Sequence, residues 1–399
     1  MTLLEHDPNT TAITRQILRQ NLLVNRLLYF FYFAAFGIIV SYLNVYFHEI
    51  GLSGKQIGLI NSLGPFMAML GGPVWGMLSD RFGAARRLFI AAACGSILAA
   101  LGLSNVHAYA WLLVFTGLYY FLFSPLMPLL DGITLKLLGD QKENYSRQRI
   151  WGSLGFICTT LASGLILERV GLRWLFYGFS FMLLPFVLAA FWLPAGHAGY
   201  RTGLRSGITA LIRLPTWKLF SASLVVLGLT ISGMNNFLGI TVKAMGGSEG
   251  LIGAAWSLGA LSELPVMLLG AALITRIGSL RMLAIAYFTY AIRWILYAAM
   301  PAPEWALGIA LMNGITFGML WIAGVAFANE LAPPNLQATA QGLLAATLSF
   351  TTMLGAPLAG FLFDSVGPST MFYIYAGLTL LALCLLWGAA RVSTREGQS

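Results

Sequence analysis

Residues 124–156 read SPLMPLLDGITLKLLGDQKENYSRQRIWGSLGF. Asp131 lies inside one apolar segment and Arg149 just inside the next, with a short polar turn, Gly139 to Ser146, between them. Charges in hydrocarbon are costly, so an ion kept there marks a functional site with a partner. At 1.5 Å per helical residue, Asp131 is roughly 10 Å from the polar end of its helix. Arg149 enters the next helix from that same end, so the two can meet at one depth. Arg147 and Arg149 are two residues apart and point to different faces, so only one turns inward.

Working outward, the 399 residues are 58% apolar and only 9% charged. A soluble domain carries about 25% charged residues. The apolar residues form unbroken runs of roughly 20, the length of a membrane-spanning helix. The short alternating segments of a β-barrel are not seen. Twelve spans are expected: 27–48, 56–79, 88–106, 109–138, 148–167, 174–193, 219–242, 250–273, 282–300, 305–329, 338–363 and 368–390. The fold class is therefore an all-α, multi-pass membrane protein.

Lys and Arg are divided unequally between the two faces. Eighteen, from Arg15 through Arg81, Lys142, Arg205 and Arg276 to Arg395, fall on one face; Lys55, Arg169, Arg173 and Lys243 fall on the other; Arg293 lies within a span. By the positive-inside rule both termini are cytoplasmic and the protein sits in the cell (inner or plasma) membrane. The formal charge of +9 is thus a topology signal, and no nucleic-acid partner is expected. Met1 to Gln20 lacks the apolar core of a signal peptide.

The chain repeats itself. Asp80-Arg-Phe-Gly-Ala-Ala-Arg86 matches Thr275-Arg-Ile-Gly-Ser-Leu-Arg281, and Gly164-Leu-Ile-Leu-Glu-Arg-Val-Gly171 matches Gly360-Phe-Leu-Phe-Asp-Ser-Val-Gly367, at offsets of 195 and 196. Two six-helix, pseudo-symmetric halves follow, 1–194 and 219–399, joined by a polar, basic cytoplasmic linker at 195–218 in which Ile208 to Arg213 can form a surface helix.

A second pair of intramembrane charges lies in the later half. Glu263 and Arg293 are each roughly 15 Å from the basic face and can share a depth. For both pairs, a structural ion bridge that merely orders helices is the plain alternative. Asn235 and Asn236 are adjacent in the seventh span; Asn there more often joins helices, but one of the two can reach a cavity. The four histidines lie outside or at the edges of spans. Cys94, Cys158 and Cys384 read as small buried hydrophobes, with no disulfide or metal site. Gly71-Gly72-Pro73 and Gly355-Ala-Pro357 are expected bends. No nucleotide-binding motif, nucleophile elbow or cofactor site is visible, so the protein reads as no enzyme, and uphill transport would draw on an ion gradient.

Gly76-Met-Leu-Ser-Asp-Arg-Phe-Gly-Ala-Ala-Arg-Arg87 resembles the loop motif of the major facilitator superfamily, with Ala84 and Ala85 ahead of the basic pair. That resemblance implies the major facilitator fold and makes Gly76, Asp80, Arg81, Gly83 and Arg86 a conformational latch. Leu43-Asn-Val-Tyr-Phe-His-Glu-Ile-Gly51, the Asp131 to Phe156 segment, Ser262-Glu263 and Arg293 resemble the lactose permease group of sugar–proton symporters. Ser124-Pro-Leu-Met-Pro-Leu-Leu-Asp131 with Arg149-Ile-Trp-Gly-Ser153 resembles the phenylpropionate-transporter branch more closely. The resemblance implies that Asp131 and Arg149 hold substrate, with Trp151 or Phe156 offering a ring face. It matches Glu263 and Arg293 to family positions and departs at Asn313 and Thr316, where the family has a His and a carboxylate.

The expected function is proton-coupled uptake of a small polar solute such as a sugar, nucleoside or aromatic acid, by a monomer in the lipid bilayer. Substrate is assigned to Asp131, Arg149, Trp151, Phe156 and Asn236, and proton coupling to Glu263, Arg293 and, secondarily, Asp131. A proton-driven drug or metabolite exporter of the same fold is the alternative. A non-transporting receptor would not need buried ions.

Overall fold

The computed structural model describes residues 8–82, 85–139, 144–193, 211–333 and 336–396. Among these, helices joined by short turns make up the chain. In chain order the helices are α1 (Pro8–Glu49), α2 (Gly54–Phe82), α3 (Ala85–Leu103), α4 (Tyr109–Phe123), α5 (Leu126–Leu138), α6 (Tyr145–Val170) and α7 (Leu175–Ala190). After the linker come α8 (Pro215–Ala244), α9 (Glu249–Ile277), α10 (Ser279–Ala298), α11 (Trp305–Ala310), α12 (Met319–Leu331) and α13 (Gln337–Glu396). Of the expected linker helix, residues 211–213 are helical and Ile208 lies outside the described residues.

Ten helical stretches are long and apolar enough to cross a membrane. The longest, Gln337–Val392, is not one straight rod: Gly367 within it has φ 78° and ψ 167°. Only glycine adopts that conformation cheaply. Its repeat mate Gly171, at φ 92°, ends α6 in the same way.

The span expected at 109–138 is present as Tyr109–Leu138, with a local break in its helical hydrogen bonding at Pro125. Pro125 has no N–H to offer the carbonyl four residues back, so the helix breaks between α4 and α5. The freed Phe121 carbonyl is taken by Trp75 Nε1 at 3.1 Å and Ser124 Oγ at 3.0 Å. By contrast, α2 runs without interruption through Gly71-Gly72-Pro73.

The chain forms two compact units. The first comprises Met1–Ile39, Met67–Thr159 and Trp174–Tyr200. Its core is aromatic: Tyr32 stacks on Phe123 with centroids 4.9 Å apart, and Tyr119 and Phe89 bring in Phe179 and Phe186. The second comprises Val40–Phe66, Thr160–Arg173 and Arg201–Ser399, so it takes in the ends of α1, α2 and α6. Buried Trp294 centres it, donating to Thr379 Oγ1 at 3.0 Å and packing among Tyr290, Tyr297, Phe372 and Tyr375. Large apolar side chains face outward on both, Leu98 and Trp192 on the first and Leu268 on the second. Such surfaces suit lipid, which solvates Leu and Trp as water does not.

Candidate functional site

In the first unit, Asp131 follows the Pro125 break on α5 and is half-buried. Its Oδ1 accepts from Tyr29 OH at 2.6 Å and from Tyr145 OH at 2.8 Å. Thr134, one turn on, lies 3.1 Å from Tyr29 OH and 3.0 Å from Asn25 Oδ1, fixing the Tyr29 ring. Arg149 on α6 does not bond Asp131 directly. Its Nη1 donates to Tyr145 OH at 3.4 Å, and its guanidinium lies 5.5 Å from the Phe33 ring centre. Tyr145, one turn before Arg149, therefore links the acid to the base. Gly155 lets α6 reach α1, since a Cβ there would fall 2.2 Å from the Phe30 carbonyl oxygen.

The two candidate rings separate on α6. Phe156 lies two turns from Arg149, on the same side, with its ring 6.4 Å from Phe36. Trp151 is about 200° around the helix from Arg149. It is 38% exposed, beside exposed Ile150 and Leu154.

In the second unit, Arg293 on α10 is only 3% exposed. Its Nη1 donates to Asn313 Oδ1 at 2.7 Å and Thr316 Oγ1 at 2.9 Å, and Nη2 reaches Tyr297 OH at 3.4 Å. Asn313 Nδ2 in turn donates to Glu263 Oε1 on α9. Glu263 and Arg293 are thus joined through an amide. A π-helical turn, Gly314–Gly318, lies between α11 and α12 and carries Thr316. Such turns insert a residue and often mark functional positions. Gly314 allows the close approach to α9, where its N–H donates to Ser262 Oγ at 2.9 Å.

Asn236 lies in a ladder of amides. Asn61 Nδ2 donates to Asn44 Oδ1 at 2.7 Å, Asn44 Nδ2 to Asn236 Oδ1 at 3.0 Å, and Asn236 Nδ2 to the Ser232 carbonyl at 2.7 Å. It therefore joins α1 and α2 to α8. Its neighbour Asn235 instead lines a cleft of about 170 Å³ with Ile231, Phe317, Trp321, Thr351 and Thr352. Phe317 and Trp321 stack there at 6.1 Å.

Of the loop motif, Arg86 donates to the carbonyls of Phe191 at 3.3 Å and Leu193 at 3.1 Å, tying α3 to the end of α7. Arg81 is exposed near the end of α2. Gly76 and Asp80 lie on α2, and Gly83 lies outside the described residues. Among the described residues no cluster of His, Cys, Asp or Glu could hold a metal ion.

The four charges stand out in the sequence; of the side chains that join them, Asn313 shows there only as a departure from the permease pattern. Tyr29 and Tyr145 carry no distinguishing signal in a chain rich in aromatics. For Tyr145 the four-residue spacing to Arg149 was the available hint.

A set of long apolar helices that carry acids and bases linked through neutral hydrogen-bonding side chains has the form of a membrane transporter. The chain belongs to the MFS_1 like family, whose model matches residues 22–374, and so to the major facilitator superfamily. It is 30% identical to a maltose permease of Geobacillus stearothermophilus over 379 residues, covering 93% of this chain and 95% of that one. It is 26% identical to a probable 3-phenylpropionic acid transporter of Escherichia coli over 364 residues, covering 90% and 95%. A crystal structure of a variant of the nucleoside transporter NupG superposes with a TM-score of 0.82 at 19% identity, covering 92% of this chain and 99% of that one. These are transporters, not enzymes.

Proposed function

We propose that this protein is a proton-coupled importer of a small polar solute, working as a monomer by alternating access. Its twelve spans are the ten long stretches, with Gln337–Val392 divided at Gly367, plus α10. Arg281 and Arg293 lower the hydropathy of α10 without shortening it. The spans form halves at 1–194 and 219–399, with both termini cytoplasmic in the cell membrane.

One observation carries the reading: each compact unit holds an acid and a base that are linked through a neutral side chain, Tyr145 or Asn313. A directly bonded pair would be a finished structural bridge. A pair held one residue apart is open to a third party, a substrate hydroxyl in one case and a proton in the other. Asp131 and Arg149 bind substrate, with Phe156 as the ring beside them. Glu263 carries the proton and Arg293 resets it. The named relatives span a sugar, an aromatic acid and a nucleoside. The acids and bases balance in number, and the Phe317–Trp321 face lies beside Asn235 and two threonines. Both features favour a neutral, hydroxylated solute, a sugar or nucleoside. The loop motif from Gly76 to Arg86 acts as the cytoplasmic latch.

A thermal-shift screen of the purified protein against maltose, uridine and 3-phenylpropionate tests this. One class should raise the melting temperature, and Asp131→Asn should abolish the rise. A rise that persists in Asp131→Asn and in Arg149→Lys would place the site elsewhere.

A further inference from the structure

Asp364 lies three residues before Gly367, at the end of the first rod of α13. Its carboxylate accepts from the backbone N–H of Gly54 at 2.7 Å and of Lys55 at 2.9 Å. These are the first two residues of α2, whose N–H groups have no partner within their own helix and carry the positive end of its dipole. Glu168, three residues before Gly171, accepts from Gly250 N–H at 3.3 Å, in the first turn of α9. Glu168 and Asp364 are 196 residues apart, and so are Gly54 and Gly250. The same contact has therefore been built twice, by the repeat, across two seams: α2 with α13, and α6 with α9.

Glycine closes both seams. A Cβ on Gly54 would fall 2.8 Å from the Gly360 carbonyl oxygen, and one on Gly164 would fall 2.6 Å from that of Glu249. The end of α1 is held at the same level. Tyr42 OH donates to the Thr160 carbonyl at 2.6 Å, and Val45, 2% exposed, packs against Gly239.

The two seams differ in strength. The difference lies in the carboxylates: Asp364 takes two short bonds and Glu168 one longer one, while α6 and α9 are also joined two turns further along by Thr160 Oγ1 and Ser257 Oγ at 2.6 Å. Lys55 also lies over the Phe361 ring at 5.2 Å. The equivalent positions across the other seam are Leu251 and Leu165, which are apolar. Charge-assisted bonds are roughly twice as strong as neutral ones. We propose that Asp364, backed by Lys55 on Phe361, is the principal catch that holds this face of the protein closed, and that Glu168 is its weaker counterpart. The proposal rests on the alternating-access reading, in which this face must open.

The test uses the full chain in nanodiscs, with Cys94, Cys158 and Cys384 replaced by serine and Val45→Cys as reporter. The rate of maleimide alkylation measures how often the seal over α1 parts. Asp364→Asn should speed it about tenfold and Glu168→Gln about twofold, following the loss of two charge-assisted bonds against one long one. Asp364→Glu, which keeps the charge, should stay within about threefold of the unmodified rate. A fast Asp364→Glu would mean general loosening and overturn the proposal, as would Glu168→Gln matching Asp364→Asn. A measurable basal rate that Asp364→Asn leaves unchanged overturns the catch alone. A reporter inert in every variant overturns the alternating-access reading with it.

Discussion

Asn313 stands between Glu263 and Arg293, accepting from the guanidinium at 2.7 Å through Oδ1 and donating to the carboxylate through Nδ2. The amide meets each ion with the right half of itself. It also makes the link sensitive to a proton. A proton taken up by Glu263 removes the negative charge that Asn313 Nδ2 faces, so a charge-assisted bond becomes a weaker neutral one. Arg293 would then be held by Thr316, Tyr297 and a less firmly anchored Asn313.

Replacing Asn313 with leucine should therefore cost both stability and transport. Arg293 would keep Thr316 and the long contact to Tyr297, with its Nε already buried without an acceptor. Leaving a buried donor unmatched costs about 1–3 kcal/mol. Thermal unfolding in detergent should show a lower melting temperature for Asn313→Leu, and uptake should fall at least about tenfold. Unchanged melting would mean that the guanidinium finds water or another acceptor.

Tyr145→Phe tests the link in the first unit. The phenol bonds Asp131 at 2.8 Å and receives Arg149 at 3.4 Å, so removing it separates acid from base without touching either. Substrate affinity should weaken about tenfold, while stability falls by no more than about 1.5 kcal/mol, the net worth of a hydrogen bond. Titration calorimetry with the solute found by thermal shift gives the affinity. Equal loss in Tyr145→Phe and in a variant of exposed Ile150 would show that packing, not the phenol, matters.

The four intramembrane charges were legible in the sequence because an ion is conspicuous against apolar runs. The side chain that links each acid to its base was not. Helix spacing gives depth to within a turn, and a turn is enough for Tyr145 or Asn313 to fit between. Asn313 and Thr316 were visible as departures from the permease pattern, and their three-residue spacing puts them on one helix face toward Arg293; the π turn that carries Thr316 is announced by no sequence period. The break after α4 was written in Pro125, yet the long apolar run around it masked the signal. Gly71-Gly72-Pro73 carries a similar signal without a break. The repeat was the most informative feature, since Gly171 and Gly367 share both their place in it and their left-handed backbone.

Gly367→Ala should destabilise the protein by about 1–3 kcal/mol through backbone strain alone, because nothing lies within 4 Å of an added Cβ. Gly377→Ala, equally open but within the helix, should be neutral or stabilising by up to about 1 kcal/mol. Comparing the two by thermal unfolding separates conformation from crowding. Equal effects would contradict the assigned backbone at Gly367.

Orientation is checked with single cysteines in a cysteine-free background. Arg276→Cys should resist an impermeant thiol reagent on intact cells, while Lys243→Cys should react. The opposite pattern would reverse the assigned topology.

The most direct test of the central claim is proton movement coupled to solute. Proteoliposomes loaded with a pH-sensitive dye would receive maltose, uridine or 3-phenylpropionate from outside, with no imposed gradient. One of the three should acidify the lumen as it enters. Glu263→Gln should abolish that acidification while leaving exchange of labelled solute intact. Solute entry with no change in lumenal pH in the unmodified protein, or acidification that survives in Glu263→Gln, would contradict the account.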